Sequence, residues 1–281
     1  MPRIKIFNAL EVEAFESPPL FNSVERKKFF TLPAPLQKLS ESFYTPTNQV
    51  CFIVTAGYFR ARHQFFGKQF RAADLDFVAT RLALNSGDIK PNEYHKQTVA
   101  RHQQMLLDFF GYHRFDDEGR RLLRRKMAGL ISAQVKPKLL LLEALEFLQQ
   151  HRVALPGYTT LADLIGAEIN RHQRHLIQIV STHLTAPQRH RLDALLEKEA
   201  TAQAEGTSPQ GRRYRLTLLK KFSQSTKPGR IKANLADWQL LSTLYGEMES
   251  VITALGLSHE ALSYYAHAVI KAQQEGTCDK T

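Results

Sequence analysis

Apolar residues recur with the period of an α-helix along most of this chain. Leu75, Val78, Ala79 and Leu82 are spaced as i, i+3, i+4 and i+7, which places them on one face of a helix. Alternation of apolar and polar residues, which is typical of strands, is scarce. We therefore predict an all-α protein. Further helices are expected at about 96–110, 117–134, 138–151, 160–183, 187–199, 233–255 and 258–274.

Residues that start or stop helices divide the sequence into three parts. Thr47 is placed to cap an apolar helix, Gly111 to end the helix at 96–110, and Asp116 with Asp117 to open the next helix. The small, polar residues 200–211 are typical of a linker. We expect a first helical module at 1–115 and a second at 116–200. The linker, a basic segment and C-terminal helices then occupy 201–281.

The first two modules show a faint internal duplication. Residues 46–74 and 137–163 each run from a proline through an apolar helix and a basic stretch to an aromatic residue and then Ala-Asp-Leu. Helical proteins also share such patterns by chance. Two tandem helix-turn-helix-like units would supply two DNA-reading surfaces on one chain.

The charge balance favours an anionic partner. Lys and Arg number 38 against 27 Asp and Glu, which gives a net charge of +11 and is typical of nucleic-acid binding. A membrane surface would also attract such a protein, but the longest apolar run, 139–142, is far below the roughly 18 residues needed to span a bilayer. Acidic residues near the start argue against a signal peptide. Cys51 and Cys278 form no disulfide framework or metal spacing. We expect a cytoplasmic protein with no membrane partner.

Residues 212–232 form the densest basic segment, which contains no acid. Hydroxyl and amide side chains between its cations can also donate to phosphate oxygens. A solvated basic loop is the alternative. We predict DNA contacts from Arg212, Arg213, Lys220, Lys221, Lys227, Arg230 and Lys232.

Residues 57–71 interleave cations with aromatic side chains, as backbone-tracking surfaces with stacking contacts do. We assign the aromatic residues to the core and the cations to phosphates. The predicted contacts are Arg60, Arg62, Lys68 and Arg71.

Residues 74–107 have the form of a helix-turn-helix, with Asn85, Gly87 and Pro91 in a turn longer than the tightest form. Recognition helices place their N-terminal residues against base edges. Arginine suits guanine and glutamine suits adenine, because each can pair bidentately. The predicted reading residues are Lys96, Arg101, His102, Gln103 and Gln104. An ordinary polar helix face is the alternative.

Arg171 and Arg174 are assigned to a phosphate-facing stripe, with a solvated face as the alternative. His172 and His175 lie one turn apart, but these neighbouring arginines would repel a metal cation, so we predict no metal site. Glycine-rich phosphate loops, nucleophile elbows and Cys/His dyads are not evident in the sequence. We therefore expect no catalytic activity and no cofactor.

Five blocks of the sequence together carry a resemblance to a known family. They are ALEVEAFESPPLFNSVERKKFF, TPTNQVCFIVTAGYFRARHQFFGKQF, VKPKLLLLEALEFLQQHRVALPGYTTL, RYRLTLLKKFSQSTKPGRIKANLADW and YYAHAVIKA. They resemble the N-terminal region of transposases of the Tn-three family, which drive class II replicative transposons. The resemblance covers nearly the whole chain, to about Ala272.

This resemblance implies an all-helical region whose modules recognise the terminal inverted repeats of the transposon. In that family the catalytic acidic triad lies on a ribonuclease-H-like fold in a much longer C-terminal part. The present sequence continues after VIKA only with QQEGTCDKT, so no triad carboxylate can be carried over. The resemblance carries over DNA contacts at Arg60, Arg62, Lys68, Lys220, Lys221, Lys227, Arg230 and Lys232.

We therefore expect a sequence-specific binder of duplex DNA at transposon ends, as the end-recognition part of a transposase or a truncated derivative. It would be nucleoid-associated when bound, with a full-length transposase or a second copy as further partners. One alternative is a regulatory module that docks on a full-length transposase. A second is RNA binding through residues 57–71.

Overall fold

Helices form nearly all of the regular structure in the computed structural model, which describes residues 5–133, 136–199, 213–214 and 226–257. The all-α prediction is confirmed. The helices are α1 (Ala9–Glu16), α2 (Ser23–Phe30), α3 (Ala34–Glu41), α4 (Pro46–Arg62), α5 (Ala72–Arg81), α6 (Lys96–Phe110), α7 (Asp117–Ser132), α8 (Pro137–Gln150), α9 (Tyr158–His183), α10 (Ala186–Leu195) and α11 (Pro228–Leu255). Short 3₁₀ turns occupy Ser86–Asp88 and Pro91–Glu93, and β1 (Lys198–Glu199) pairs antiparallel with β2 (Arg213–Tyr214).

The boundary between α6 and α7 follows the local sequence, as predicted. Gly111 ends α6 in the left-handed region at φ 66°, a conformation that glycine adopts without steric cost. Asp116 then caps α7, because its carboxylate accepts hydrogen bonds from the backbone N–H groups of Glu118 and Gly119, each at 3.0 Å. The Gly119 bond is the main cause of the lowered pKa of Asp116.

Other helix ends differ from the predictions. The cap of α4 is Thr45, not Thr47, because Pro46 takes the first helical position; Thr47 instead accepts the N–H of Lys90 at 3.1 Å. α10 stops at Leu195, short of the pairing of β1 with β2. α11 begins at Pro228, ahead of the predicted 233. The predicted helix at 258–274 and the body of the predicted linker at 200–211 lie outside the described residues.

The chain divides into two compact units, Met1–Asn170 and Arg171–Thr281. The three-module division of the chain stays a prediction. The first unit contains two large apolar cores, which are described in turn below, and two smaller apolar clusters beside them. The described helices are too short or too polar to cross a membrane.

α4 is the centre of the first core, and α2, α3, α5 and α6 pack around it. It is buried from Val50 to Phe59. At Gly57 a Cβ atom would lie 2.3 Å from the ring of Phe30, so only glycine permits this approach of α2 to α4. Tyr58, Phe59 and Phe66 are buried here, which confirms the assignment of these aromatic residues to the core.

α5 and α6 both pack on α4, and Leu75 of α5 packs against the apolar cluster that contains Val99 of α6. Residues 82–95 separate them and include both 3₁₀ turns. The two helices of the predicted helix-turn-helix at 74–107 are thus present, with the long connection that the sequence indicated. Their use as a DNA-reading pair stays a prediction.

The second core of this unit is formed by α7, α8 and the start of α9 around Leu123, Met127 and Leu141. The N-terminal segment joins it, because Ile6 is buried there and Phe7 stacks on Tyr158 at 5.6 Å. The hydroxyl of Tyr158 accepts hydrogen bonds from the N–H groups of Ile6 and Phe7.

A short backbone clip, residues 152–155, links the ends of three helices. α4, α6 and α8 are each followed by a residue in the left-handed region, namely His63, Gly111 and Arg152. The N–H of Leu155 donates to the carbonyl of His63 at 2.8 Å, and that of Ala154 to the carbonyl of His113 at 2.9 Å. α4 and α8 thus share a proline start and a left-handed end, as a duplication would produce. The duplication stays a hypothesis.

In the second unit, α10 packs against α11. Leu195, Met248 and Val251 are buried, and Leu240 and Leu244 line a small cleft beside α10. Arg191 forms an ion pair with Glu247, whose backbone carbonyl accepts from Gln188 at 2.7 Å.

Candidate nucleic-acid interface

Two of the four cations predicted at 60–71 hold the fold together. One guanidinium nitrogen of Arg60 donates to the carbonyls of Phe29 and Thr31 at 2.7 and 2.8 Å, which caps the end of α2. Arg71 donates from Nη2 to Pro18 at 2.6 Å and from Nε to Pro18 and Pro19. Both side chains are half-buried, and burial lowers the pKa of Arg60.

The other two cations of this segment face solvent. Arg62 is exposed and lines an open cleft of about 350 Å³ together with Pro18 and Leu20. Lys68 is exposed, with Nζ 3.4 Å from the carbonyl of Asn92. Arg62 can therefore bind phosphate without giving up a contact described here, and Lys68 would give up only its exposed bond to Asn92.

A buried network explains why the segment is so constrained. The carboxylate of Asp74 is fully buried, accepts from the hydroxyl of Tyr58 at 2.7 Å and pairs with Nε of Arg26 at 2.7 Å. The same tyrosine hydroxyl accepts the N–H of Arg71 at 3.1 Å. Burial raises the pKa of Tyr58, so its hydroxyl stays protonated and keeps donating to Asp74.

The predicted position of His102 on the exposed face of α6 is wrong. Its imidazole is fully buried, stacks on Phe43 at 4.3 Å, and lies 2.7 Å through Nδ1 from the hydroxyl of Tyr94. Burial, with a smaller effect of Arg101, lowers the pKa of His102 to about 4. A neutral ring in the core cannot contact a base edge.

The other α6 residues that were predicted to contact bases differ in exposure and in whether they already form hydrogen bonds. Lys96 and Arg101 are exposed, and Gln103 is half-buried. Gln104 is exposed, but its amide donates to Asp108 at 2.8 Å and accepts from Arg114 at 2.9 Å. Both ends of that amide are thus occupied, so Arg101 is the best placed of these residues to pair with a base.

α7 carries a basic face that was not singled out from the sequence. Arg121 and Arg125 are exposed one turn apart, a like-charge spacing that destabilises a helix unless an anion lies nearby. Its other cations have acidic neighbours: Arg124 lies 3.4 Å from the buried Glu168, and Lys126 lies 3.6 Å from Glu143. The signal was visible in the run GRRLLRRK of the sequence.

α9 and α11 carry the remaining predicted cations. Arg171 and Arg174 are exposed on α9. Lys227, Arg230 and Lys232 are exposed at the N-terminal end of α11. In the described residues no side chain caps that end and its first turn holds no acid. Arg212, Lys220 and Lys221 lie outside the described residues, and Arg213 is described only as part of β2.

Metal chemistry finds no support in the described ranges, where no cluster of three or more His, Cys, Asp or Glu side chains could hold an ion. Half-burial, together with His175, lowers the pKa of His172. What the described surface offers instead is exposed guanidinium and ammonium groups on the ends and faces of helices.

The chain belongs to the family described as "Domain of unknown function (DUF4158)", whose model matches residues 6–168. The matched segment takes in both cores of the first unit, from Ile6 to Ile165. No curated protein matches the chain.

Proposed function

We propose that this protein binds duplex DNA in a sequence-specific manner, at the terminal inverted repeats of a transposon. It would act as the end-recognition part of a Tn-three family transposase or of a truncated derivative. The sequence blocks that resemble the N-terminal region of those transposases fall largely within the family segment at 6–168. The net charge of +11 supports an anionic partner.

The N-terminus of α11 is the observation on which the proposal chiefly rests. Unsatisfied N–H groups and the helix dipole already give such an end a partial positive charge. Arg230 and Lys232 add two exposed cations near that end, where positive charge is unfavourable unless an anion is bound. A phosphate at this end would relieve both effects.

Sequence reading is assigned to α6. Arg101 and Lys96 lie on its exposed side in the N-terminal half, which is the part of a recognition helix that meets base edges. Arg62, Lys68, Arg121 and Arg125 would contact phosphates and set the register, since phosphate contacts position a protein without reading sequence.

The experiment is a binding titration at fixed salt with transposon-end duplex, scrambled duplex and single-stranded RNA. We expect the end duplex to bind most tightly and the RNA least. Equal affinity for both duplexes would remove the sequence-specific part of the proposal. Tightest binding to RNA would favour the RNA alternative, and binding to none of the three would favour a protein-interaction module.

Two substitutions at one position sharpen the assignment of α6. If Arg101 pairs with a guanine, both Arg101→Ala and Arg101→Lys should weaken the end duplex by roughly 1–3 kcal/mol and scarcely affect the scrambled duplex, because lysine cannot pair bidentately. If Arg101 contacts a phosphate instead, Arg101→Lys should bind both duplexes nearly as well as the parent protein.

We further propose that the chain binds DNA without cutting it. Incubation with supercoiled and end-containing DNA in magnesium or manganese should give neither nicks nor joined strands. Metal-dependent strand transfer that survives rigorous purification, and that co-elutes with the protein, would contradict this expectation.

A further inference from the structure

α11 presents an exposed apolar stripe along most of its length. Trp238 is 58% exposed at its middle, and Ile231 and Tyr245 are 54% and 61% exposed toward its two ends. Leu235 and Leu241, which lie between these residues along the helix, are 53% and 39% exposed. Single exposed apolar residues are common on protein surfaces, but a continuous stripe of five marks an interaction site.

This stripe is separate from the face that packs inside the second unit. Leu240 and Leu244 line the cleft beside α10, and Met248 and Val251 are buried. At 100° per residue, Leu240, Leu244 and Val251 lie about 120° or more around the helix from Trp238, and Met248 lies about 80° from it. The stripe is therefore a second apolar face, beyond the one that the contact with α10 requires.

The stripe is symmetric about Trp238. Ile231 and Tyr245 lie seven residues before and after it, and Leu235 and Leu241 lie three residues before and after it. The spacing is that of a coiled-coil seam, in which apolar residues recur every three to four positions. A second copy of the helix running antiparallel would therefore place its own stripe residues opposite those of the first copy.

Charge follows the same symmetry. Lys227, the N-cap of α11, and Glu249 lie eleven residues before and after Trp238, and both are exposed. In an antiparallel pair each lysine would meet the partner's glutamate at both ends. In a parallel pair lysine would meet lysine and glutamate would meet glutamate, which is unfavourable.

We propose that α11 is a self-association surface, on which two copies of this chain pair antiparallel about a two-fold axis through Trp238. A two-fold pair uses one patch twice, so the patch must complement itself. The stripe and its flanking charges meet that requirement. The pairing needs no DNA, so its test is independent of the DNA-binding proposal.

The first test measures mass by light scattering on the full chain without DNA, over a range of concentrations. The parent protein should reach twice the chain mass of 32.1 kDa. Leu235→Glu with Trp238→Glu should leave single chains, whereas Ala236→Glu, an exposed residue off the stripe, should leave the pair intact. Circular dichroism confirms that each variant keeps its helices. A parent protein that stays a single chain, or a control that dissociates equally, would overturn the proposal.

The second test determines direction by thiol crosslinking, with Cys278→Ser as background and the buried Cys51 left in place. Trp238→Cys should crosslink to itself across the axis, and Ala236→Cys should not. Ile231→Cys and Tyr245→Cys should each fail alone and crosslink when mixed. Efficient crosslinking of Ile231→Cys alone would indicate a parallel pair and overturn the antiparallel arrangement.

A charge exchange tests the flanking pair. Lys227→Glu should weaken the association severalfold, and adding Glu249→Lys in the same chain should restore it. A double variant that associates no more tightly than Lys227→Glu alone would show that the two side chains do not meet.

Discussion

Arg60 and Arg71 in the segment 60–71 occupy an environment opposite to that of Arg230 and Lys232 in the segment 227–232. Arg60 and Arg71 are half-buried and donate to backbone carbonyls of distant segments. Arg230 and Lys232 are exposed at the start of a helix. The comparison teaches that basic residues beside aromatic residues can serve to bind the protein's own carbonyls. At the start of α11, in contrast, Arg230 and Lys232 keep their side chains exposed.

The largest loss of stability is expected in the buried network around Asp74, next to Arg71 in the segment 60–71. Asp74→Ala would leave the buried hydroxyl of Tyr58 and the guanidinium of Arg26 without their acceptor. Breaking such a pair costs about 3–5 kcal/mol of the free energy of unfolding, which urea denaturation measures. Asp76→Ala, exposed on the same helix, should change stability by less than about 0.5 kcal/mol. Equal losses would show that the network is not special.

His102 should make stability depend on pH. Its pKa in the folded protein is lowered to about 4, below about 6.5 for an unfolded histidine, because burial favours the neutral ring. The stabilisation is therefore complete above pH 6.5 and is lost as the pH falls from 6.5 toward 4. The slope is at most about 1.4 kcal/mol per pH unit. Titration of the ring protons by NMR measures the pKa directly, and a value near 6.5 would contradict burial.

Arg71 and Arg62 provide a matched pair nine positions apart. Arg71→Ala removes charged hydrogen bonds to Pro18 and Pro19 and should cost roughly 1.5–3 kcal/mol of stability, with the salt dependence of DNA binding unchanged. Arg62→Ala should do the opposite: little loss of stability, and a slope of log affinity against log salt that is flatter by about 0.9. If instead Arg62→Ala lost stability and Arg71→Ala flattened the slope, then Arg62 would be the structural residue and Arg71 the phosphate contact.

The smallest effect on stability is expected for the exposed cations at the start of α11. Arg230→Ala with Lys232→Ala should change the free energy of unfolding by less than about 0.5 kcal/mol. The slope of log affinity against log salt should flatten by about 1.8 for two lost phosphate contacts, equally for end and scrambled duplexes. Lys227 is left intact so that self-association is undisturbed. An unchanged slope in a folded variant would mean that this end of α11 does not meet DNA.

Much of the fold was predictable, because its signals are local. Helical periodicity gave the all-α class, and Gly111 and Asp116 set the boundary between α6 and α7. The burial of His102 was also visible in principle. It lies three residues after Val99 and four before Leu106, which are both buried, so helical spacing placed it on the same face.

The structural use of Arg60 and Arg71 could not have been predicted in this way. Their acceptors, the carbonyls of Phe29 and Pro18, are far away in sequence and belong to backbone that carries no distinctive side-chain signal. The basic face of α7 was missed for a different reason: its arginines were visible, but only the structure shows that Arg121 and Arg125 are exposed.

The backbone clip at 152–155 has a consequence for how the protein is made. Phe59 of α4 and Leu107 of α6 form a buried cluster with Ala154. The carbonyls of His63 and His113 accept hydrogen bonds from the N–H groups of Leu155 and Ala154, respectively. A ribosome that adds roughly 5–20 residues per second needs seconds to proceed from His113 to Leu155. During that interval the N-terminal helices would lack the apolar contact and the hydrogen bonds that residues 154 and 155 provide. The first module therefore completes its fold only once α8 has left the ribosome.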